Sequence, residues 1–332
     1  MNLLPPVLPR HVWLATPRLR YFALDDPGYL SYNLLLQVVR MPRSNQKICN
    51  LTHYNSKAKQ SGTQGFFALG GGHMASDTVL SIQNISKSFG GVQANRDVSF
   101  EVEQGQIFSI IGPNGAGKTT VINMISGFYH PDTGAILLEG QDITHYSPSR
   151  VAAMGVARTF QNIALFSGMS VLDNLMLGRH VHMRSGVIAS MIRFGPALKE
   201  EIANREIVEE IIEFLEIEAL RKQPVESLAY GLQKRVELGR ALVAKPKVLL
   251  LDEPMGGMNV EEKEDMARFI LDVNDELGTT IVLIEHDMSV VMDLSDRVVV
   301  LDVGQKIGEG TPDEVKQNPQ VIQAYLGTQA TV

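Results

Sequence analysis

Cysteine is nearly absent from this chain: Cys49 is the single one among 332 residues. No disulfide framework and no cysteine-built zinc site can form within it, which suits a reducing, cytoplasmic compartment. Tryptophan also occurs once, at Trp13. No run of about 18 or more apolar residues exists, so no segment reads as a membrane-spanning helix. Internal repeats and low-complexity tracts are missing. An excess of basic charge is missing too: the net charge is −7, which argues against a nucleic-acid-binding surface as the main business. What the chain does have is 332 residues, enough for one large domain or two smaller ones, and 44% hydrophobic residues, enough for a sizeable core.

The charge is unevenly spread. Residues 1–73 hold eight Lys and Arg against two Asp and Glu, and six of the 15 prolines. Apolar stretches there, such as Leu34-Leu-Leu-Gln-Val-Val39, are short and lack a sustained period. Met1-Asn-Leu-Leu-Pro-Pro has no charged leader, and prolines interrupt the apolar stretch, which argues against a secretory signal. Of three readings (small domain, targeting peptide, extension), the third fits best. Residues 1–76 are expected to be a non-native or disordered extension ending in Gly70-Gly-Gly-His-Met74-Ala-Ser, with the folded domain over 77–328.

From Val79 the pattern sharpens. Val79–Ile85, Val98–Val102 and Gly134–Gly140 read as strands. Lys247–Leu251 and Thr279–Ile284 are uninterrupted apolar strands, and such strands alternating with helices predict an α/β fold with a parallel sheet covered on both faces. Val171–Leu228 reads as helical; Ile207, Ile211, Ile212 and Leu215 share one face, and Glu206, Glu209, Glu210 and Glu213 read as a solvated face. Thr311-Pro-Asp-Glu314 is a capping box opening a C-terminal helix.

The most informative segment is Gly112-Pro-Asn-Gly-Ala-Gly117-Lys118-Thr119-Thr120. It follows the apolar run Ile107–Ile111 and leads into a helical stretch, the context of a P-loop. Asn114, Gly115, Ala116 and Gly117 let the backbone turn several N–H groups toward one anion. A helix starting at Lys118 adds its positive end at the same point. Lys118 supplies a cation for the β- and γ-phosphates, the Thr119 hydroxyl a Mg²⁺ ligand, and Thr120 a further contact in the first turn. Asp252 and Glu253 follow the strand at 247–251, at the edge where ligands gather in open α/β sheets. There Asp252 can hold the metal and Glu253 can polarise a water. His286 follows the strand 279–284 in the same way and can donate to a γ-phosphate.

Between these elements, Leu228-Ala-Tyr-Gly-Leu-Gln-Lys-Arg-Val-Glu-Leu-Gly-Arg-Ala-Leu242 resembles the signature motif of ATP-binding cassette (ABC) ATPases. The ordered set of P-loop, Gln161, signature, Asp252-Glu253, Asn259 and His286 carries that resemblance over about 79–328. It implies an ABC-type nucleotide-binding domain with a mixed sheet and a helical subdomain near 165–235. It further implies that Phe89 stacks on adenine, that Gln161 is the Q-loop glutamine sensing Mg²⁺, that Gly256–Asn259 form the D-loop, and that His286 is the switch histidine. Ala229, Tyr230 and Gly231 stand where the family has Ser-Gly-Gly, so a serine hydroxyl donor is lacking while the helix N-terminus remains. In the family this face serves the ATP of a second ATPase subunit.

Leu-Ala-Tyr-Gly, Ala157-Arg-Thr-Phe-Gln-Asn162, Leu283-Ile-Glu-His-Asp-Met288 and the ending Ala324-Tyr-Leu-Gly327 look like the ATPase of branched-chain amino acid importers. The ATPases of urea or amide importers and of lipopolysaccharide export are similar. The implied cofactors are ATP and Mg²⁺. The implied partners are membrane permease subunits, a second ATPase subunit and, indirectly, a periplasmic binding protein, with the chain peripheral on the cytoplasmic face of the inner membrane. A soluble ABC ATPase is the rival reading.

Overall fold

The computed structural model describes residues 78–161, 163–182 and 196–329; the expectation for residues 1–76 lies outside them. Strands β1 (Thr78–Phe89) and β2 (Val92–Glu103) pair antiparallel through a turn at Gly90-Gly91. Both glycines have positive φ, a conformation that residues with a Cβ adopt at a cost. After β3 (Ile107–Ile111) and helix α1 (Lys118–Ile125), the strands β4 (Thr133–Leu138) and β5 (Gln141–Asp142) complete a four-stranded sheet in the order β2-β1-β4-β5.

Helix α2 (Pro148–Ala153), strand β6 (Val156–Arg158) and the helices α3 (Val171–Gly178), α4 (Pro196–Phe214) and α5 (Tyr230–Leu242) follow. Then come β7 (Val248–Asp252), α6 (Val260–Leu277), β8 (Thr280–Ile284), α7 (Met288–Leu294), β9 (Arg297–Asp302), β10 (Gln305–Gly310), α8 (Pro312–Gln317) and α9 (Pro319–Gln329). The second sheet has the order β10-β9-β3-β8-β7-β6; its pairs are parallel except for the β10–β9 hairpin at one edge.

Every residue of β3, β7 and β8 is buried, as continuous apolar strands covered on both faces require. One face packs on α1 and the antiparallel sheet, through Phe108, Ile110, Val121, Ile122, Ile125, Leu80 and Phe100. The other packs on the helices, through Leu249, Leu251, Val236, Leu242, Phe269 and Ile270. A third cluster joins β9 to α7, α8 and α9 through Val298, Val300, Val291, Val315 and Val321.

Two expectations are refined. β1 and β2 extend beyond the apolar cores that announced them, because main-chain pairing carries them through the polar Lys87 and Gln93. The stretch from Val171 to Leu228 is several pieces, with 3₁₀ turns at Glu218–Leu220 and Val225–Ser227 after α4. Glu216, with φ +57°, ends that helical run in a left-handed turn. Ile211, Ile212 and Leu215 are buried and Glu206, Glu210 and Glu213 exposed, as the periodicity predicts; Glu209 is half-buried beside Arg205 and Arg221.

Candidate functional site

Strand register builds the site. Ile284 pairs with Ile110 on one side and with Asp252 on the other. The chain therefore leaves β3, β8 and β7 at one level, and the loop 112–117, Glu285-His286 and Asp252-Glu253 emerge side by side. Loop geometry is fixed by glycine: Gly117, with φ +91°, caps α1 in the left-handed region, and a Cβ there would run into the Ala94 carbonyl. Gly112 lies against the Leu301 carbonyl in the same way.

Lys118 opens α1 and is buried, donating from Nζ to the carbonyls of Gly112 at 2.8 Å and Pro113 at 3.0 Å. Burial lowers its pKa, while the carboxylates of Glu253 and Asp252 act to raise it. Asn114, Gly115 and Thr119 are exposed, Ala116 is buried and Thr120 half-buried. The loop thus presents an open rim of main-chain N–H groups above a desolvated cation, a combination suited to a phosphate chain.

Glu253 is in the left-handed region, with φ +51°, which costs a non-glycine residue about 1–2 kcal/mol. The turn is held by Glu253 N–H donating to the Ile284 carbonyl at 2.9 Å. Two side chains grip its carboxylate: Gln161 Nε2 donates to Oε2 at 2.8 Å, and His286 Nε2 lies 2.6 Å from Oε1. The expected catalytic trio of Glu253, Gln161 and His286 is thus brought together. The Gln161 side chain donates to the glutamate, and among the described residues no hydrogen bond joins it to Asp252 or Thr119.

Asp252 is 1% exposed. Its Oδ2 accepts from Arg158 Nη2 at 2.9 Å, and its Oδ1 has no hydrogen-bond partner. Burial pushes its pKa up against the opposing pull of Arg158. A buried carboxylate oxygen without a partner, within the electrostatic reach of Lys118 at the start of α1, fits a hard divalent cation with oxygen ligands. Among the described residues no group of three or more His, Cys, Asp or Glu could hold a metal. A cation here would therefore draw most of its ligands from phosphate and water.

Phe89, at the end of β1, is 41% exposed and meets the Tyr129 ring edge-on at 5.1 Å between centroids. Ala229, Tyr230 and Gly231 sit at the start of α5, where no side chain caps the first turn. Tyr230 rests on Gly257 of the D-loop, and Gly231 faces the Glu262 carboxylate. Among the described residues no hydrogen bond joins 229–231 to 112–120, so the P-loop and the start of α5 are not linked directly within one chain.

Sequence reasoning missed several residues. Arg158 donates to Asn123, Ser126 and Asp252, and its guanidinium lies near the rings of Phe128 and Phe160. Glu285, 5% exposed, accepts from the Met255 N–H at 2.8 Å and from the His286 N–H at 3.1 Å, tying the D-loop to the histidine. Each stands within three residues of a predicted one, and that proximity was the available signal.

Residues 95–256 match the ABC transporter family, and residues 305–331 match the family described as branched-chain amino acid ATP-binding cassette transporter. The chain is 38% identical over 249 residues to the high-affinity branched-chain amino acid transport ATP-binding protein BraF of Pseudomonas aeruginosa, covering 75% of this chain and 98% of that one. It is 40% identical over 256 residues to LivG of Escherichia coli, a protein of the same description, covering 76% and 99%. The crystal structure of the ADP conformation of MJ1267, an ATP-binding cassette of an ABC transporter, superposes with a TM-score of 0.66 at 34% identity, covering 75% of this chain and 99% of that one.

Proposed function

The chain belongs to the ABC transporter family as an ATP-binding cassette ATPase, and from that premise we propose that it powers a membrane importer for branched-chain amino acids. The observation that carries the catalytic reading is the Glu253 carboxylate, held between Gln161 and His286 beside Lys118. The substrate class rests on the similarity to BraF and LivG and on the match over 305–331.

In this reading the N–H groups of 114–120 and the Lys118 ammonium hold the phosphates, and Phe89 stacks on adenine. Asp252 and Thr119 would hold Mg²⁺, with Gln161 to sense it; the ion would supply charge neutralisation to the phosphates. Glu253 accepts a proton from the attacking water, and Gln161 and His286 fix the direction in which its oxygens point. His286 donates toward the γ-phosphate oxygens as charge gathers on them. The α5 N-terminus at Ala229, Tyr230 and Gly231 meets the γ-phosphate of an ATP bound by a partner ATPase subunit. ATP then closes two subunits on each other, hydrolysis lets them part, and permease subunits receive that motion on the cytoplasmic side of the membrane. Among the described residues no helix is long and apolar enough to cross a membrane, which accords with membrane partners supplying the path.

The test is Glu253→Gln. It keeps size and hydrogen bonding but removes the base, so turnover is expected to fall by at least about 100-fold, with ATP binding intact and an ATP-dependent dimer accumulating on gel filtration. Unchanged hydrolysis would overturn the assignment. Co-purification with permease subunits, and amino acid uptake lost with the same variant, test the transporter reading.

A further inference from the structure

Phe160, Gln161, Ile163 and Ala164 belong to no helix or strand. Their main-chain groups must find partners elsewhere, since unpaired ones are costly where water is excluded. They find them on one helix. Lys234 Nζ donates to the Gln161 carbonyl at 2.8 Å and to the Phe160 carbonyl at 3.4 Å. Glu237 Oε1 accepts from the N–H of Phe160 at 3.3 Å and of Ala164 at 3.4 Å. Arg240 Nη1 donates to the Ala164 carbonyl. The three side chains follow one another at intervals of three along α5, on one face.

Lys234 and Glu237 are 3% and 2% exposed, with 3.8 Å between ammonium and carboxylate. A buried ion pair is weak evidence of stability, because apolar residues of similar volume often serve as well or better. Here each charged group also holds loop main chain, which an apolar pair could not do. Burial pushes the Glu237 carboxyl up, against the pull of Lys234 and the two loop N–H groups. The same helix begins at Tyr230, so its N-terminus, one turn before Lys234, carries the Ala229–Gly231 face.

We propose that Lys234 and Glu237 are positioning residues that fasten the Gln161 loop to α5, so that the Gln161 side chain and the Ala229–Gly231 face move as one rigid body. The consequence rests on the proposed function. When a partner's ATP draws in the N-terminus of α5, Gln161 shifts on Glu253 in the same motion.

Amide hydrogen exchange on the full chain, with steady-state ATPase kinetics, tests this. In Glu237→Ala the amides of Phe160 and Ala164 are expected to exchange about tenfold faster or more. ATP affinity stays unchanged, and kcat falls with KM constant, since Gln161 acts on the bound state. Glu237→Gln keeps an acceptor and is expected to restore most of both. If Glu237→Ala fails to fold, Lys234→Met with Glu237→Leu supplies an apolar pair of similar volume for the same measurements. Unchanged exchange at Phe160 and Ala164 would overturn the fastening. Equal kinetic loss in Glu237→Ala and Glu237→Gln, or a loss confined to KM, would overturn the positioning role. The exchange readout does not depend on Glu253 chemistry, so faster exchange beside an active Glu253→Gln would sink the hydrolytic reading and leave the fastening standing.

Discussion

The carboxylates at the P-loop edge differ by their partners. Glu253 is gripped by two exposed side chains, whereas Asp252 is buried and fixed by Arg158. Arg158 is 9% exposed in its side chain and joins α1 to β7 through Asn123, Ser126 and Asp252. Arg158→Met removes the countercharge and leaves a buried carboxylate alone. A stability loss of about 3 kcal/mol or more is expected, read from urea unfolding, with much of it recovered by adding Asp252→Asn. The contrast between these neighbouring carboxylates was not legible in the residue string. Asp252-Glu253 after an apolar strand announced a site, but Arg158 reaches Asp252 from a different strand 94 positions earlier. Glu285 was hidden in the same way, since its role depends on the fold bringing Met255 to it.

At the scale of elements, caps and registers decide which side chains meet. The capping box of Thr311 and Glu314 was legible because it is local, and so was the P-loop strand and helix. The breaks within 171–228 were not, because they depend on where α4 turns back onto α3 and α5. Helix α7, which follows His286, is capped by Asp287. Its carboxylate accepts from Ser289 and from Lys263 of α6. These bonds, the Ser289 hydroxyl foremost, hold its pKa down to about 2 from the usual 3.8. A depressed carboxyl stabilises the fold above its unfolded pKa and loses that contribution as pH falls through the folded value. Acid unfolding of the parent should therefore steepen between pH 3.8 and about 2. Asp287→Asn should be less stable at neutral pH and vary less over that window, as denaturant titrations at each pH would show.

For the molecule as a whole, the P-loop at Asn114, Gly115 and Thr119 and the start of α5 at Ala229 and Tyr230 are exposed, yet no hydrogen bond joins the two segments among the described residues. Ala229 holds the N-cap position of α5 without a capping side chain. Ala229→Asp should raise the stability of the isolated chain by about 1 kcal/mol, because aspartate is a good N-cap. It should also place a negative charge where a partner's γ-phosphate is proposed to rest. Thermal unfolding is expected to shift upward while ATP-dependent assembly and hydrolysis fall. A parallel rise in stability and activity would argue that this face meets no phosphate.

The sequence alone determined the family, the order of motifs and the phosphate-binding loop, because these depend on glycines, a lysine and apolar strands at fixed short spacings. Only the tertiary structure decided that Gln161 points at Glu253, that Arg158 neutralises Asp252, and that Lys234 and Glu237 hold the Gln161 loop. The physical reason is range. Turns and caps are set by neighbours within a few residues, while a buried charge finds its partner wherever strand order and helix packing deliver one.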